Sequence, residues 1–590
     1  MKNKAILFTL LFILLSCFQL ARHFSWQAED GKGYTRIISG DGKGLYMYLP
    51  AIFITQDLDI QTADNRYIFK TEGGGLNKYF AGTAISMMPF FGMGYAKAVI
   101  SDEPLDGYSS PFQKAVSIAA LFYLMLGLFF LVRLLQLYGI RTSVICVTLL
   151  LTVSGTNLLV YTIYHPAFSH VYSFAFITML LFYAKRFISQ QNRKHLLLMT
   201  FALGMVVIIR PTNGIILFTL PFLAGSLQAF KETYRLVCKV KNIFPALLIF
   251  FVLLSIQLYL WYVQTGDPFV WSYRGEGFYF SDPKFLDVLF SFRKGFFIYT
   301  PLALFMLGGL FFIYKKSRFQ FYSLLLFLFL LIYITASWWC WYYGPSYGQR
   351  PFIDFYAVFA LLFAFLLNET RYKKIILTVA ILLAAFNLVQ SYQYVKNILS
   401  SWNMDFEKYK YVFMRTSPEY FSCLGGCDDI VPYPGSKKLL FELYNGYEKQ
   451  QEHWSKSSTA KMPGEHGVVA DFTGKEFNSE AEVLADSSIT HYRLLYAELE
   501  LEYSEKQPSG NEGPLIAVTL SDTYGRIYNY YTFPLNELPE RDPGKWKKGT
   551  YRVEIPGIKN AGDHLKIYIW NKYDKVFYTD NFSVRLYGID

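Results

Sequence analysis

Residues 315–350 read KKSRFQFYSLLLFLFLLIYITASWWCWYYGPSYGQR, and three physical zones follow one another in them. Lys315, Lys316 and Arg318 open the stretch, an uncharged apolar run fills 319–337, and Trp338, Trp339 and Trp341 lead into a Gly- and Tyr-bearing segment that ends at Arg350. A run of about 20 apolar residues is what a helix needs to cross hydrocarbon. Cations favour the cytoplasmic end of such a helix, and Trp and Tyr favour the interface. The stretch therefore reads as one membrane span that enters from the cytoplasm and leaves on the outside.

Working outward, the same reading applies to runs near 4–21, 113–132, 143–163, 166–184, 195–209, 213–229, 243–263, 296–314, 351–368 and 374–395. With 319–337 they make about eleven spans. Composition agrees: 53% of the 590 residues are hydrophobic and only 17% are charged, against roughly 25% charged in soluble domains. Basic clusters fall at every second connection, namely Arg133/Arg141, Lys185/Arg186/Arg193/Lys194, Lys231/Arg235/Lys239/Lys241, Lys315/Lys316/Arg318 and Arg371/Lys373/Lys374. That alternation assigns them to the cytoplasm and the intervening loops to the outside. It also accounts for the net charge of +11 without nucleic acid, for which no basic stripe or stacking motif is present. The segment 79–100 is apolar enough to span, but counting it would put Arg133 and Arg141 outside; its Pro89 and Gly92 suit a helix lying on the outer surface.

Lys2 and Lys4 precede the first run, which reads as a span with its N-terminus inside. A cleaved signal and a lipoprotein box at Leu14-Leu15-Ser16-Cys17 are the rival readings. Cys17, Cys146, Cys238 and Cys340 fall in or beside apolar runs as packing residues. Cys423 and Cys427, in a polar stretch assigned to the outside, have the spacing for a local disulfide.

The outward loops collect the unusual polar residues. The first carries Gly40-Asp41-Gly42-Lys43-Gly44 and then Asp57-Leu58-Asp59; others carry His165, His170, Arg210, Arg274, Glu276, Arg293, Lys294 and Arg350. Ionisable groups at membrane depth are costly and usually functional. Their gathering on one side favours a site that opens outward over a conduction path, whose charges would sit near mid-bilayer.

This pattern resembles the GT-C superfamily of membrane glycosyltransferases, which includes protein mannosyltransferases and the aminoarabinose lipid A transferases. Gly40-Asp41 in a long first outer loop, the surface helix after it, Asp106-Gly107-Tyr108-Ser109 before the second span, and the short-looped spans beyond carry the resemblance. So do Ser169-His170, Ile209-Arg210-Pro211-Thr212-Asn213 and Tyr347-Gly348-Gln349-Arg350-Pro351-Phe352-Ile353-Asp354. It covers roughly residues 1–400. It implies inverting transfer of a sugar from a polyprenyl-phosphate donor to a glycan, lipid or protein acceptor outside the bacterial cytoplasmic membrane, with a first-loop aspartate as general base. The chemistry suits these residues: a sugar phosphate already carries a good leaving group, so a base for the acceptor hydroxyl and cations for the departing phosphate suffice. Asp41 is the candidate base and its glycine neighbours allow a tight turn and close substrate approach; Gly-Asp-Gly is equally ordinary turn chemistry. Arg350, Arg210 and His170 are the candidate phosphate ligands, Arg350 foremost because a guanidinium grips phosphate in a bidentate way. Arg293 and Lys294 are secondary, with snorkelling anchors as the alternative. Asp41 lacks the adjacent second acid common in the family; the nearest acidic pair, Asp57 and Asp59, has spacing for a Mg²⁺ or Mn²⁺ ion or for acceptor contacts.

Beyond a connector at 401–436, residues 437–590 read as soluble sequence. Residues 496–503, YAELELEY, alternate strictly between apolar and acidic, which is a strand with one wet face. Further runs at 515–520, 526–532, 551–555, 565–570 and 582–587 predict an antiparallel, jelly-roll-like β-sandwich outside the membrane. Tyr530, Tyr531, Trp570 and Tyr573 serve there as packing or as sugar-stacking surfaces. The fold expected is thus a multi-pass α-helical membrane domain followed by an all-β domain. The competing functions are a polysaccharide or lipid transporter, which mid-span charges would mark, and a non-catalytic glycan-binding scaffold, which would act without Asp41.

Overall fold

The computed structural model describes residues 4–26, 37–58, 68–71, 74–273, 276–401, 404, 406–421, 436–462, 466–492, 494–506, 514–535, 544–558 and 560–589. Asp59, Arg274, Cys423 and Cys427 lie outside the described residues. The chain divides into two compact units, one of residues 1–396 with 404–416 and one of residues 397–403 with 417–590.

The first unit is helical. Seven of its described helices are long and apolar enough to cross a membrane: Lys4–Phe24, Ser110–Leu137, His170–Gln190, Val240–Thr265, Arg318–Ser337, Arg350–Glu369 and Lys373–Val395. Arg350–Glu369, His170–Gln190 and Ser110–Leu137 form the interior, with 89%, 78% and 72% of their apolar windows buried, against 17% for Val240–Thr265. That last helix leaves Phe244, Leu248, Phe251, Val252 and Tyr259 exposed along its length. An exposed band of that kind, unbroken by charge, has lipid as its natural solvent.

Other apolar runs are present but broken, and glycine and proline break them. Residues 143–163 form Thr142–Ser154 and Leu158–Ile163, parted at Gly155, where a Cβ would come within 2.4 Å of Leu302. Residues 296–314 become Phe296–Tyr299, Pro301–Met306 and Gly309–Lys316. Pro301 starts the second piece, and a Cβ on Gly309 would meet the Leu362 carbonyl oxygen at 2.0 Å. Residues 211–237 are a 3-10 helix, Pro211–Thr219, followed by Leu220–Ala224 and Leu227–Val237, with Gly225 at φ 86° between the last two. The segment expected on the outer surface is the helix Gly82–Ser101, which carries Pro89 internally and exposes Met88, Met93, Val99 and Ile100. It is not among the seven. A two-stranded hairpin, β1 (Ile68–Thr71) and β2 (Gly74–Asn77), precedes it.

Among the described residues the second unit holds ten strands: β3 (Lys438–Asn445), β4 (Thr459–Lys461), β5 (Val468–Asp471), β6 (Phe477–Leu484), β7 (Leu494–Glu505), β8 (Leu515–Ser521), β9 (Ile527–Pro534), β10 (Lys547–Pro556), β11 (His564–Trp570) and β12 (Phe577–Ile589). They form two antiparallel sheets. One runs β10-β7-β12-β5-β4 with β3 also paired to β12, and the other runs β6-β11-β8-β9. The alternation in β7 buries Ala497, Leu499, Leu501 and Tyr503 and leaves Glu498, Glu500 and Glu502 part-exposed. Those buried side chains share one core with Ile516, Val518 and Leu520 of β8 and Leu565, Ile567 and Ile569 of β11. Each buried Leu, Ile or Val of this core contributes about 1.5–3 kcal/mol by leaving water. Tyr531 belongs to this core, whereas Trp570 points outward and donates its ring N–H to Glu476 at 3.0 Å.

Candidate functional site

The loop that carries Asp41 is fixed by its own packing. Asp41 begins the short helix Asp41–Tyr46, preceded by Gly40 at φ 53°, a conformation that favours glycine. Gly42 packs so closely that a Cβ would stand 2.6 Å from that of Ala167. At Gly42 the missing side chain admits Ala167, because the loop is pressed onto the segment before His170. Asn77 of β2 donates to the Gly44 carbonyl at 2.9 Å. Tyr46 donates to the Gly107 carbonyl at 2.6 Å, and Asp106 accepts from the backbone N–H groups of Tyr108 and Ser109 at 2.7 Å each. The Asp106-Gly107-Tyr108-Ser109 motif is therefore a buttress for the Asp41 loop.

Asp41 and Arg350 meet. Their Oδ2 and guanidinium nitrogen are 2.5 Å apart, with side-chain exposures of 27% and 12%, and the guanidinium lies 5.2 Å from the centre of the Phe168 ring. Burial pushes the Asp41 carboxyl up, but the Arg350 charge, the Tyr79 hydroxyl and Lys78 outweigh it and hold Asp41 below its usual range. Lys78 is itself paired with Glu276.

Arg350 and Asp354 share the 3-10 helix Arg350–Phe355. Asp354 is fully buried and satisfied on both oxygens. His170 Nδ1 is 2.7 Å from Oδ1, Asn213 Nδ2 donates to Oδ2 at 2.7 Å, and Arg210 approaches Oδ2 at 3.8 Å. Arg210 also lies 3.4 Å from His170 Nδ1. The structure thus brings His170 and Arg210 together, but around a carboxylate, and His170 is only 2% exposed. Asp354 is the residue that sequence reasoning passed over. An acid inside the apolar run 351–368 was its signal.

Arg293 and Lys294 are buried, which corrects their reading as snorkelling anchors. The Arg293 guanidinium sits 3.5 Å over the Tyr342 ring, and Lys294 donates to the Ser346 carbonyl. Burial and the nearby charges of Arg293 and Arg350 push the Lys294 ammonium well down. Both are covered by the aromatic segment that turns at Tyr347 and Gly348 into Arg350. Asn157 donates to the Tyr347 carbonyl at 3.0 Å, and Gly348 adopts φ 58°. Trp338 packs against Tyr273 and Phe278. His165, 2.8 Å from the Tyr394 hydroxyl, is driven by burial and by Arg350 down to about 3 and is neutral.

Asp57 is exposed, just beyond the π-turn Ala51–Thr55, and its intended metal partner Asp59 is outside the described residues. Chemically, the site joins one carboxylate able to accept a proton to a guanidinium group able to receive an oxyanion.

None of the family models and none of the curated proteins compared matches this chain. Among solved structures it is similar to the archaeal oligosaccharyltransferase AglB from Archaeoglobus fulgidus, in complex with an inhibitory peptide and a dolichol-phosphate, at TM-score 0.41 and 11% identity over 74% of this chain and 62% of that one. It is similar to the Archaeoglobus fulgidus oligosaccharyltransferase in complex with Zn and sulfate at TM-score 0.42 and 12% identity, over 73% of this chain and 59% of that one. A third neighbour is the arabinosyltransferase EmbB from Mycobacterium smegmatis, at TM-score 0.34 and 12% identity, over 98% of this chain and 67% of that one. The chain spans about three fifths of the length of the two oligosaccharyltransferases. The names of all three denote glycosyltransferases.

Proposed function

We propose that this protein is a GT-C-type membrane glycosyltransferase that moves a sugar, with inversion, from a polyprenyl-phosphate donor to an envelope acceptor on the outer face of a bacterial cytoplasmic membrane. Asp41 takes the proton from the acceptor hydroxyl. Arg350 receives the donor phosphate, and Arg293 adds positive charge behind it. Arg210 and His170, tied to Asp354, hold the short helix that carries Arg350. The β-sandwich then lies outside, with the N-terminus inside. For the Mg²⁺ or Mn²⁺ alternative, Asp57 and Asp59 would be the ligands, and the ion would add charge for the leaving phosphate.

The observation that carries this reading is the contact of Asp41 with Arg350. The acid and the cation that the sequence offers separately as base and phosphate ligand share one place. A phosphate that engages Arg350 draws the guanidinium from Asp41 and restores basicity to the carboxylate when the donor is in position. The test is transfer from a radiolabelled polyprenyl-phosphate sugar in membranes containing matched amounts of wild-type and Arg350→Lys protein. Lysine keeps the charge and loses the planar fork, so a phosphate role gives a raised donor KM at equal insertion. An unchanged donor KM would remove Arg350 from that role. Comparison of envelope glycans by mass spectrometry, with and without the gene, identifies the sugar and acceptor.

A further inference from the structure

The larger sheet carries a part-buried charged cluster that the transfer reaction does not use. Glu502 of β7 and Asp580 of β12 are register partners across the sheet. Two carboxylates facing each other in this way repel and destabilise a strand pair unless something of opposite charge joins them. What joins them is His466, at the turn of the β4–β5 hairpin. Its Nδ1 is 2.9 Å from Asp580 Oδ2 and 3.5 Å from Glu502 Oε2. A single ring N–H can serve one carboxylate well, yet both oxygens converge on the same nitrogen.

The three ligand atoms lie within 4.8 Å of one another. Around a tetrahedral ion with bonds of about 2.1 Å, ligand atoms stand roughly 3.4 Å apart, so both imidazole-to-carboxylate distances are near what a shared ion needs. The surroundings hold each ligand in place. Trp546 stacks on the imidazole at 3.9 Å and 19°, and Asn581 at φ 53°, in the β12 bulge, gives its backbone N–H to Asp580 Oδ1 at 2.8 Å. That bond occupies one oxygen of Asp580 and leaves the other facing His466. The Asn581 amide donates to Glu502 Oε2 at 2.9 Å and is itself fixed by the Tyr444 hydroxyl at 2.5 Å. Supporting hydrogen bonds of this sort orient metal ligands and tune affinity.

We propose that His466, Glu502 and Asp580 form a binding site for one divalent transition-metal ion of the Zn²⁺ class, which neutralises the opposed carboxylates and ties the β4–β5 turn to β7 and β12. The imidazole selects against Ca²⁺ and Mg²⁺, which prefer oxygen ligands alone. Three protein ligands leave a fourth position open to water or to a ligand atom.

The test uses the full chain in detergent, freed of metal by chelator and dialysed against Zn²⁺. The expected result is one Zn²⁺ per chain, with affinity lowered about 100-fold or more in His466→Ala and in Asp580→Asn, and retained in Asp57→Asn. Zn²⁺ should also raise the melting temperature of the β-structure in wild type and not in His466→Ala. Co²⁺ offers a readout that needs no variant, because a bound tetrahedral ion acquires intense visible absorption. No Zn²⁺ bound by wild type, equal binding by both cluster variants, stoichiometry lost only in Asp57→Asn, or a Co²⁺ spectrum unchanged from the free ion would each overturn the proposal.

Discussion

Asp41→Asn is the sharpest perturbation of the proposed reaction, because it keeps size and shape while removing both basicity and the charge facing Arg350. Loss of a positioned general base costs roughly 10²–10⁴ in rate, or about 3–5 kcal/mol of activation free energy. The Arg350 pair sets a second magnitude. Two unit charges about 4 Å apart attract by roughly 4 kcal/mol in an environment of effective dielectric near 20, before desolvation is subtracted. With Asp41 and Arg350 only 27% and 12% exposed, solvent screens little of this. The net effect holds the Asp41 carboxyl below its usual range. A lowered value keeps the carboxylate ionised to lower pH, so activity that depends on it is lost only as pH falls through that lowered value.

Two pH profiles separate a base from a mere partner of Arg350. The acid limb of kcat/KM reports the free enzyme and that of kcat the bound complex. In the free enzyme Arg350 holds Asp41, so the limb of kcat/KM lies below the usual carboxylate range. Once donor phosphate occupies Arg350, the limb of kcat moves up. Arg350→Gln should move the kcat/KM limb upward as well. Transfer is measured from radiolabelled donor in membranes with matched amounts of wild-type, Asp41→Asn, Asp57→Asn and Asp59→Asn protein. Near-wild-type transfer by Asp41→Asn would refute its role as base, and an inactive Asp57→Asn or Asp59→Asn would move that role to the downstream pair. A kcat/KM limb unmoved by Arg350→Gln would break the link between the two residues.

Orientation is checked by single cysteines at Ser317 and at Ser281, an exposed residue of a connection assigned to the outside, in a background lacking native cysteines: only position 281 should react with an impermeant thiol reagent in intact cells, and reaction at 317 would invert the topology. Gly42→Ala should destabilise by about 1–3 kcal/mol through its clash with Ala167, seen as a lower melting temperature in detergent, and Ala167→Gly should restore it. Asp354→Asn puts an amide N–H₂ where a carboxylate oxygen accepts from buried Asn213 and should cost about 1–3 kcal/mol; melting equal to wild type would show that Asp354 does not hold the helix of Arg350. A fragment of residues 436–590 should unfold cooperatively with β-type circular dichroism while monomeric, since its core closes on itself; a non-cooperative melt would count against a separate domain.

Local pattern carried much of this architecture. The run 319–337, flanked by cations and a Trp cluster, is the helix Arg318–Ser337, with Ser317 as its N-cap. The alternation at 496–503 is the centre of β7, because a period of two assigns faces without reference to any partner. Breaks within apolar runs were harder to read, since Gly155 and Gly309 matter through what approaches them: Leu302 and Leu362 come from distant parts of the chain. Hydropathy sees the run and not the neighbour.

The site divides along the same line. Asp41 and Arg350 stand out one by one, as an acid among glycines and an arginine after an aromatic loop, but their contact joins opposite ends of the membrane unit. Asp354 lies 184 residues from His170 and 141 from Asn213, so its cage cannot be read from spacing, only suspected from the cost of an acid in an apolar run. Arg293 and Lys294 show the converse error. Beside apolar sequence, a long cation reads as snorkelling. Here the Tyr342 ring and the Ser346 carbonyl receive them in the interior instead, because the aromatic loop folds back over residues 293–294. That fold-back changes their chemical meaning: a snorkelling cation is spent on lipid headgroups, whereas the buried guanidinium of Arg293 adds to the potential that a phosphate at Arg350 would experience.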